Sequence, residues 1–382
     1  MEHWGGGEEF LLKLAMNVTD YEFIIASSSG EPLQVFRQNG IITVEIKSLK
    51  KYYQNADGWS VLTKLKILVN LIAVIIKLIW IIYNRKIDLV LANGNFAGIY
   101  SFFPAALTKR KFIVIQHLIY KEDSIEARIL KIVSRYSDNL ICISGSVSEN
   151  VRNILGKNSK NNISIIRHGI DMPNVNEAEE KKIGSGIINI GIIGSIIRLK
   201  AIDLVIEAVQ EIILQNPKVH LNIFGSVRSD ELDSIEYENE LKKIIIDNNL
   251  YENVHFRGFE KSKYKIYNNL DIVINYSSVP ESFSFTVLEA LSFGKIVIAS
   301  DIGGPKELII NSENGFLIPP INKNALKEKL EYCISNLNSS EFDYIKKCAG
   351  KTAEEKFSLQ RFSSDYKIFF DSILTTKRKI SF

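Results

Sequence analysis

Residues 271–290 read Asp-Ile-Val-Ile-Asn-Tyr-Ser-Ser-Val-Pro-Glu-Ser-Phe-Ser-Phe-Thr-Val-Leu-Glu-Ala. Asp271–Asn275 is a near-continuous apolar run of strand length, typical of a strand buried on both faces of a parallel sheet. A polar loop carrying Pro280 follows, and Ser282 or Ser284 is placed to cap the helix that then begins. Strand, loop and helix make half of a βαβ unit, and the loop falls at the carboxyl end of the strand, where open α/β sheets bind ligands. Two carboxylates, Glu281 and Glu289, stand on either side of the helix start. The N–H groups of Ser284 to Thr286 would face outward there, where an anionic phosphate is favoured. A carboxylate on each side of a phosphate suits a ligand with hydroxyls on both sides, as a nucleotide sugar presents.

The same alternation of short β-branched runs and longer amphipathic stretches extends along the chain. The first half predicts strands over 22–26, 41–46, 88–92, 112–116, 139–143 and 163–166. The second predicts them over 188–193, 220–224, 254–257, 272–275, 296–299 and 316–318. Residues 171–186 between the two sets are polar, contain Pro173, Gly184 and Gly186, and show no apolar period. They read as a linker. The expected class is therefore α/β with two Rossmann-like doubly wound domains. The predicted boundaries are 1–172, a linker at 173–186, 187–355, and a closing helical segment at 356–382. A chain of 382 residues is too long for one core, which agrees with two domains. In such a pair the ligand site is expected in the cleft between them.

Composition narrows the function. With 46% hydrophobic residues the chain is not disordered, and a net charge of +3 excludes a dedicated polyanion binder, so no nucleic-acid partner is expected. That sum hides an asymmetry: residues 1–172 carry 21 Lys and Arg against 15 Asp and Glu, the remainder 26 against 29. Cys142, Cys333 and Cys348 are far apart and form no CxxC pair, and the five His show no ligand spacing. Neither a disulfide scaffold nor a metal site is expected, and the thiols suit a reducing cytoplasm. The glycine-rich N-terminus lacks an apolar signal region. Residues 67–83, Ile-Leu-Val-Asn-Leu-Ile-Ala-Val-Ile-Ile-Lys-Leu-Ile-Trp-Ile-Ile-Tyr, are the most apolar stretch. Asn70 and Lys77 within it argue against a membrane span and for a buried or interfacial helix.

A second informative segment runs from Ile190 to Ala208. A strand ends at Gly194-Ser195, a short loop carries Arg198 and Lys200, and an amphipathic helix follows. Two cations at a strand's carboxyl end can meet a diphosphate and stabilise it as a leaving group.

Pro280–Ala290 resembles the E-x7-E motif of the GT4-type retaining glycosyltransferases, which have the GT-B fold. The likeness continues through Gly294–Glu307, with Gly303-Gly304 and the Glu after it, and through Asn314–Pro320. It is dense from 188 to 320 and thinner before. The resemblance implies a nucleotide-sugar donor, such as a UDP- or GDP-sugar, and transfer with net retention. It implies that Lys200 and Arg198 hold the diphosphate, Glu289 the ribose and Glu281 the donor sugar. Phe283, Ser284, Phe285 and Thr286 would offer backbone N–H groups, and Gly194, Ser195 and Gly303 would line the donor site. Arg257-Gly258 matches the loop that faces the nucleobase. Family enzymes use the leaving phosphate as base, so no protein nucleophile and no metal or other cofactor is implied. The chain departs from the family at Ser195, where Arg is common, and at Ala201, where Gly is common.

In the first half, Gly5-Gly6-Gly7 resembles the family's glycine-rich loop toward phosphate or acceptor, and His117 resembles a His that reaches the transferred sugar. His168 reads as structural. The family places a strand before that loop, and Met1–Trp4 is too short to supply it, so either the start codon is misassigned or the first sheet lacks a strand. A sugar-nucleotide epimerase of the same fold and a non-catalytic sugar-nucleotide-binding subunit are the competing readings. High Ile, Asn and Lys usage suggests an AT-rich bacterial genome, and family context then points to surface polysaccharide or lipopolysaccharide synthesis. The basic first half suits docking on the anionic inner face of the plasma membrane, toward a glycan or lipid-linked acceptor.

Overall fold

The computed structural model describes residues 5–49, 61–156, 159–174, 186–227, 231–374 and 379–381. Most of the linker expected at 173–186, and the remnant at Met1–Trp4, lie outside these residues. The chain forms two compact units, 1–168 with 359–382, and 169–358. The first unit thus ends at His168 rather than at 172, and it regains the chain at Leu359.

The first unit runs α1 (Gly6–Asn17), β1 (Phe23–Ser27), α2 (Glu31–Gln38), β2 (Ile42–Glu45), α3 (Val61–Asn84), β3 (Ile87–Asn93), α4 (Asn95–Leu107), β4 (Lys111–Gln116), α5 (Ile125–Val133), β5 (Asn139–Cys142), α6 (Gly145–Leu155) and β6 (Ile163–Ile165). The second runs β7 (Ile188–Ile193), α7 (Ile202–Ile213), β8 (Val219–Phe224), α8 (Leu232–Asp247), β9 (Val254–Gly258), α9 (Lys263–Tyr267), β10 (Ile272–Asn275), α10 (Phe285–Ser292), β11 (Ile296–Ser300), α11 (Pro305–Leu308), β12 (Phe316–Ile318), α12 (Lys323–Asn336) and α13 (Ser340–Phe357). Then α14 (Leu359–Ile373) and β13 (Lys379–Ser381) rejoin the first unit. Each of the twelve strands expected from periodicity forms, with ends within one residue of expectation.

Both sheets are parallel. The second has the order β12-β11-β10-β7-β8-β9. Its central strands are buried on both faces: Ile272, Val273, Ile296, Val297 and Ile298 have no exposed surface. That is why they read as continuous apolar runs rather than alternating ones. The helix that follows each strand covers a face of the sheet, so the loops at the carboxyl ends lie at one edge.

The first sheet has the order β2-β1-β13-β3-β4-β5-β6. The strand expected to be missing is therefore not an open gap. Residues 379–381 fill it, pairing in parallel with β1 through Phe23↔Ile380 and with β3 through Ile380↔Leu89. A three-residue strand that begins on the last residue of the basic run Lys377-Arg378-Lys379 has no periodicity to announce it. α14 stands beside α1, where Phe10, Phe362 and Tyr366 form an aromatic cluster. Tyr21 Oη donates to Asp371 across the same contact.

Candidate functional site

The site in the second unit is built at the carboxyl ends of β7 to β11. β7 ends at Ile193, and Gly194 N–H donates to the Phe224 carbonyl at 2.9 Å, while Gly225 N–H donates to the Gly258 carbonyl at 2.8 Å. The backbones of Gly194 and Gly225 meet so closely that a Cβ on Gly225 would stand 1.8 Å from the Gly194 carbonyl oxygen. Gly225 also has a φ of 145°, open to glycine and strained for other residues.

After Gly194 the chain makes a 3-10 turn over Arg198–Lys200 and enters α7 through Ala201, whose φ of 42° and ψ of 44° are left-handed. The cost at a non-glycine residue is about 1–2 kcal/mol. The turn is tied to the β10–α10 loop, because Ser278 N–H donates to the Leu199 carbonyl at 2.9 Å. It delivers Lys200 to Glu281: the ammonium donates to Glu281 Oε1, which also accepts from Ser277 Oγ. Burial would raise the Glu281 carboxyl, but the Lys200 charge and hydrogen bonds from Lys200, Ser277 and Ser284 outweigh it and hold the group below its ordinary value. Glu281 is therefore a charged acceptor, prepared for hydroxyl donors. Gly303 underlies it, since a Cβ there would lie 2.5 Å from the Glu281 nitrogen, and Gly304 N–H donates to the Glu281 carbonyl at 2.8 Å.

Ser284, rather than Ser282, caps α10 and accepts from Val287 N–H at 3.4 Å. Thr286 Oγ1 donates to the Ile193 carbonyl at 3.3 Å, stitching the helix start to the end of β7. Phe283 and Phe285 pack edge to face at 5.3 Å against the core behind the loop. These contacts fix the position of a helix terminus whose N–H groups suit an anion. Within α10, Glu289 accepts from Tyr267 Oη at 3.0 Å and is paired with Lys263 Nζ at 2.6 Å. Tyr267 is fully buried and Lys263 half exposed, so the lysine is the partner that an incoming hydroxyl ligand would displace.

Arg198 differs from the expectation. Its guanidinium is bidentate to Glu240 at 2.7 and 2.8 Å, bonds Asp233 at 2.9 Å and stacks on Tyr237. It is committed to α8, not to the Lys200–Glu281 pair, because the 3-10 turn directs residues 198 and 200 differently. Arg257 Nε donates to Asn222 Oδ1 at 2.8 Å in the adjacent strand β8. Ser195 brings no charge.

In the first unit, Gly5 caps α1 and Gly7 lies at its first turn. Asn93, at the end of β3, donates to the Gly7 carbonyl at 3.0 Å and accepts from His117 Nε2 at 2.5 Å. The glycine loop and His117 are thereby one network. Phe10 lies edge-on to both His117 and His168, which stack at 6.0 Å. Burial pushes His117 down to about 4 and, with the neighbouring His117 and Lys13, holds His168 well below its ordinary value. Both rings are neutral near pH 7, so His117 offers hydrogen bonds rather than charge. An unfolded His117 takes up a proton below about pH 6.5 and the folded one resists until about pH 4. Stability of the first unit should therefore be full above pH 6.5 and fall between pH 6.5 and 4, by up to ~3 kcal/mol for His117. Thermal melts across that range check this, and His117→Gln should flatten the fall.

Lys263, Tyr267, Asn93, Ser277 and Gly225 escaped the sequence reading. Asn93-Gly94 and Phe224-Gly225 each stand where a strand ends, which was a usable signal. Lys263 and Tyr267 had none, because their role depends on α9 packing beside α10. Among the described residues no cluster of three or more His, Cys, Asp and Glu could hold a metal ion.

Comparison with known proteins adds to this geometry. The family model "Glycosyl transferases group 1" matches residues 176–347, and "Glycosyltransferase Family 4" matches residues 21–172. An uncharacterised glycosyltransferase of Methanocaldococcus jannaschii is 28% identical over 302 residues, 74% of each chain. The capsular polysaccharide biosynthesis glycosyltransferase CapM of Staphylococcus aureus is 24% identical over 63% of this chain and 61% of its own. The crystal structure of Anabaena HepE in complex with UDP superposes with a TM-score of 0.81 at 20% identity, covering 97% of this chain and 98% of that one. Two Rossmann-like units, a strand-end site built on two spaced glutamates and a lysine, and two family models that between them take in most of the sequence together establish that this chain belongs to the GT4-type glycosyltransferases of the GT-B fold.

Proposed function

We propose that this transferase takes a nucleotide-sugar donor and passes its sugar, with retention at the anomeric carbon, to a glycan or lipid-linked acceptor in bacterial surface polysaccharide or lipopolysaccharide synthesis. The observation that carries the donor reading is the Lys200–Glu281–Ser277 cluster beside the capped start of α10, with Glu289 held from its buried side by Tyr267. Lys200 and the helix terminus meet the diphosphate, and their positive potential stabilises the charge that grows on it as the glycosidic bond breaks. Glu281 accepts from the donor sugar and Glu289 from the ribose, exchanging Lys263 for hydroxyls. The leaving phosphate takes the acceptor's proton, and the neutral His117 keeps the sugar-facing role that the resemblance gives it. Arg198 is bonded to Glu240 and Asp233, so in this reading the diphosphate rests first on Lys200 and the helix end, with no metal. CapM, a capsule-synthesis enzyme, and UDP-bound HepE support the choice of donor and pathway by likeness.

The cytoplasmic placement, peripheral on the inner leaflet, follows from the basic first half. Thermal-shift measurements against a panel of UDP- and GDP-sugars, with and without chelator, test the donor reading. The matching donor should raise the melting temperature equally in both conditions. Stabilisation by none of them, or only with a divalent cation, would contradict it, and an inverted product would contradict retention.

A further inference from the structure

The helix α3 leaves a long apolar face uncovered. Leu65, Leu68, Ile72, Ile76, Trp80 and Tyr83 are each between 48 and 62% exposed. At 100° per residue they fall within an arc of about 120° along roughly 27 Å of helix. The opposite side is not exposed: Val74 and Ile81 have no accessible surface and pack with Ile46 of the first unit. α4, packed against α3, adds the exposed Phe103 and Leu107. Single exposed apolar side chains are ordinary, but a continuous stripe of this length is not.

Residues 65–84 are long and apolar enough to cross a membrane. Yet Val74 and Ile81 clamp one side of the helix to the protein, so it is held lying on its own unit. Cations border the stripe: Lys66 near its start, and Arg85 and Lys86 at its end, are exposed. The Lys77 ammonium sits 4.4 Å above the Trp80 ring. Trp and Tyr at one end with Lys and Arg around them is the composition of a helix seated at the headgroup level.

The unit boundaries sharpen the charge argument. The first unit, 1–168 with 359–382, carries 26 Lys and Arg against 16 Asp and Glu, and the second carries 21 against 28. A unit with net charge +10 is repelled by a second copy presenting the same face and drawn to an anionic sheet of headgroups.

We propose that the α3 stripe, from Leu65 to Tyr83, is the docking surface for an anionic lipid bilayer, lying in its interface with the apolar side chains below the headgroups. This deepens the acceptor side of the proposed function by naming its membrane contact, and it is independent of the donor chemistry.

The test is flotation of the full-length protein with phosphatidylcholine vesicles containing roughly one-third phosphatidylglycerol. Wild-type protein should float at low salt, with a blue shift in tryptophan emission that Trp80→Phe removes. Binding should weaken as salt rises from about 0.05 to about 0.5 M. Ile76→Glu and Leu68→Glu should each lower binding by at least about tenfold, with the melting temperature and its shift by nucleotide sugar in solution unchanged. No flotation at low salt, or variants that float as wild type does, would overturn the proposal. So would a wild-type dimer that either glutamate variant dissociates, which would make the stripe a self-interface. If flotation fails while the donor shift persists, only the membrane surface is lost. The converse result would indict the donor reading.

Discussion

Lys200→Ala should lower the rate of sugar transfer by about 10²–10³-fold, the cost of deleting one preorganised donor at a developing negative charge. The effect should be this large because Lys200 is the cation that the structure holds against Glu281, beside the capped start of α10. Arg198 is spent on Glu240 and Asp233, and Ser195 is neutral. The substitution also strips Glu281 of its partner, leaving a carboxylate bonded to Ser277 alone among the two groups that share its Oε1 atom. The Glu281 carboxyl should therefore move up in pKa, and residual activity should shift toward higher pH, where that group is ionised. Rates measured across pH for wild type and variant check both statements. Lys200→Arg is expected to rescue poorly, since a planar fork replaces a point charge in a site shaped by Ser277 and Gly194. A Lys200→Ala protein with wild-type turnover would dismiss the role given to this residue.

The second large effect should come from Gly225→Ala, a change of one methyl group with no charge and no direct ligand contact. Its Cβ would enter the van der Waals shell of the Gly194 carbonyl, 1.8 Å from the oxygen, and the neighbour is backbone, which cannot rotate aside. β7 and β8 would have to part at their carboxyl ends, where Ser195 and the turn bearing Lys200 begin. A destabilisation of more than about 3 kcal/mol is expected, in the range of severe steric and backbone effects. Nucleotide-sugar stabilisation should be lost even in the fraction that folds. Denaturant unfolding and thermal shift measure the two consequences separately. Gly350→Ala is the matched control: a Cβ there meets nothing within 4 Å, and the position is helical.

What the sequence disclosed, and what it withheld, follows from the range of the interactions concerned. Strands such as Ile272–Asn275 and Ile188–Ile193 are buried on both faces, so their composition alone marks them. Glu281, Ser284 and Glu289 were legible because a strand, a loop and a capped helix are contiguous, and their geometry is local. The partners of Arg198 were not legible, for the opposite reason. Its partners, Asp233 and Glu240, lie 35 and 42 residues away on α8, and nothing in the loop foretells that a helix will draw the guanidinium outward. Lys263 on Glu289 is the same kind of event, a pairing across 26 positions set by how α9 and α10 stand together. The first unit ends four residues before the predicted boundary, and Phe10 of α1 contacts both His117 and His168, contacts that polarity along the chain does not reveal.

The strand at 379–381 has a consequence for the order in which the protein can be made. It occupies the middle of the first sheet, between β1 and β3, yet the ribosome reaches it only after the entire second unit has been translated. Until then β1 and β3 each present an unpaired edge, and unpaired parallel edges are the surfaces on which nascent chains go astray. The second unit, whose six strands are contiguous in sequence, can close at once. The first sheet can therefore be completed only after the second unit has been synthesised.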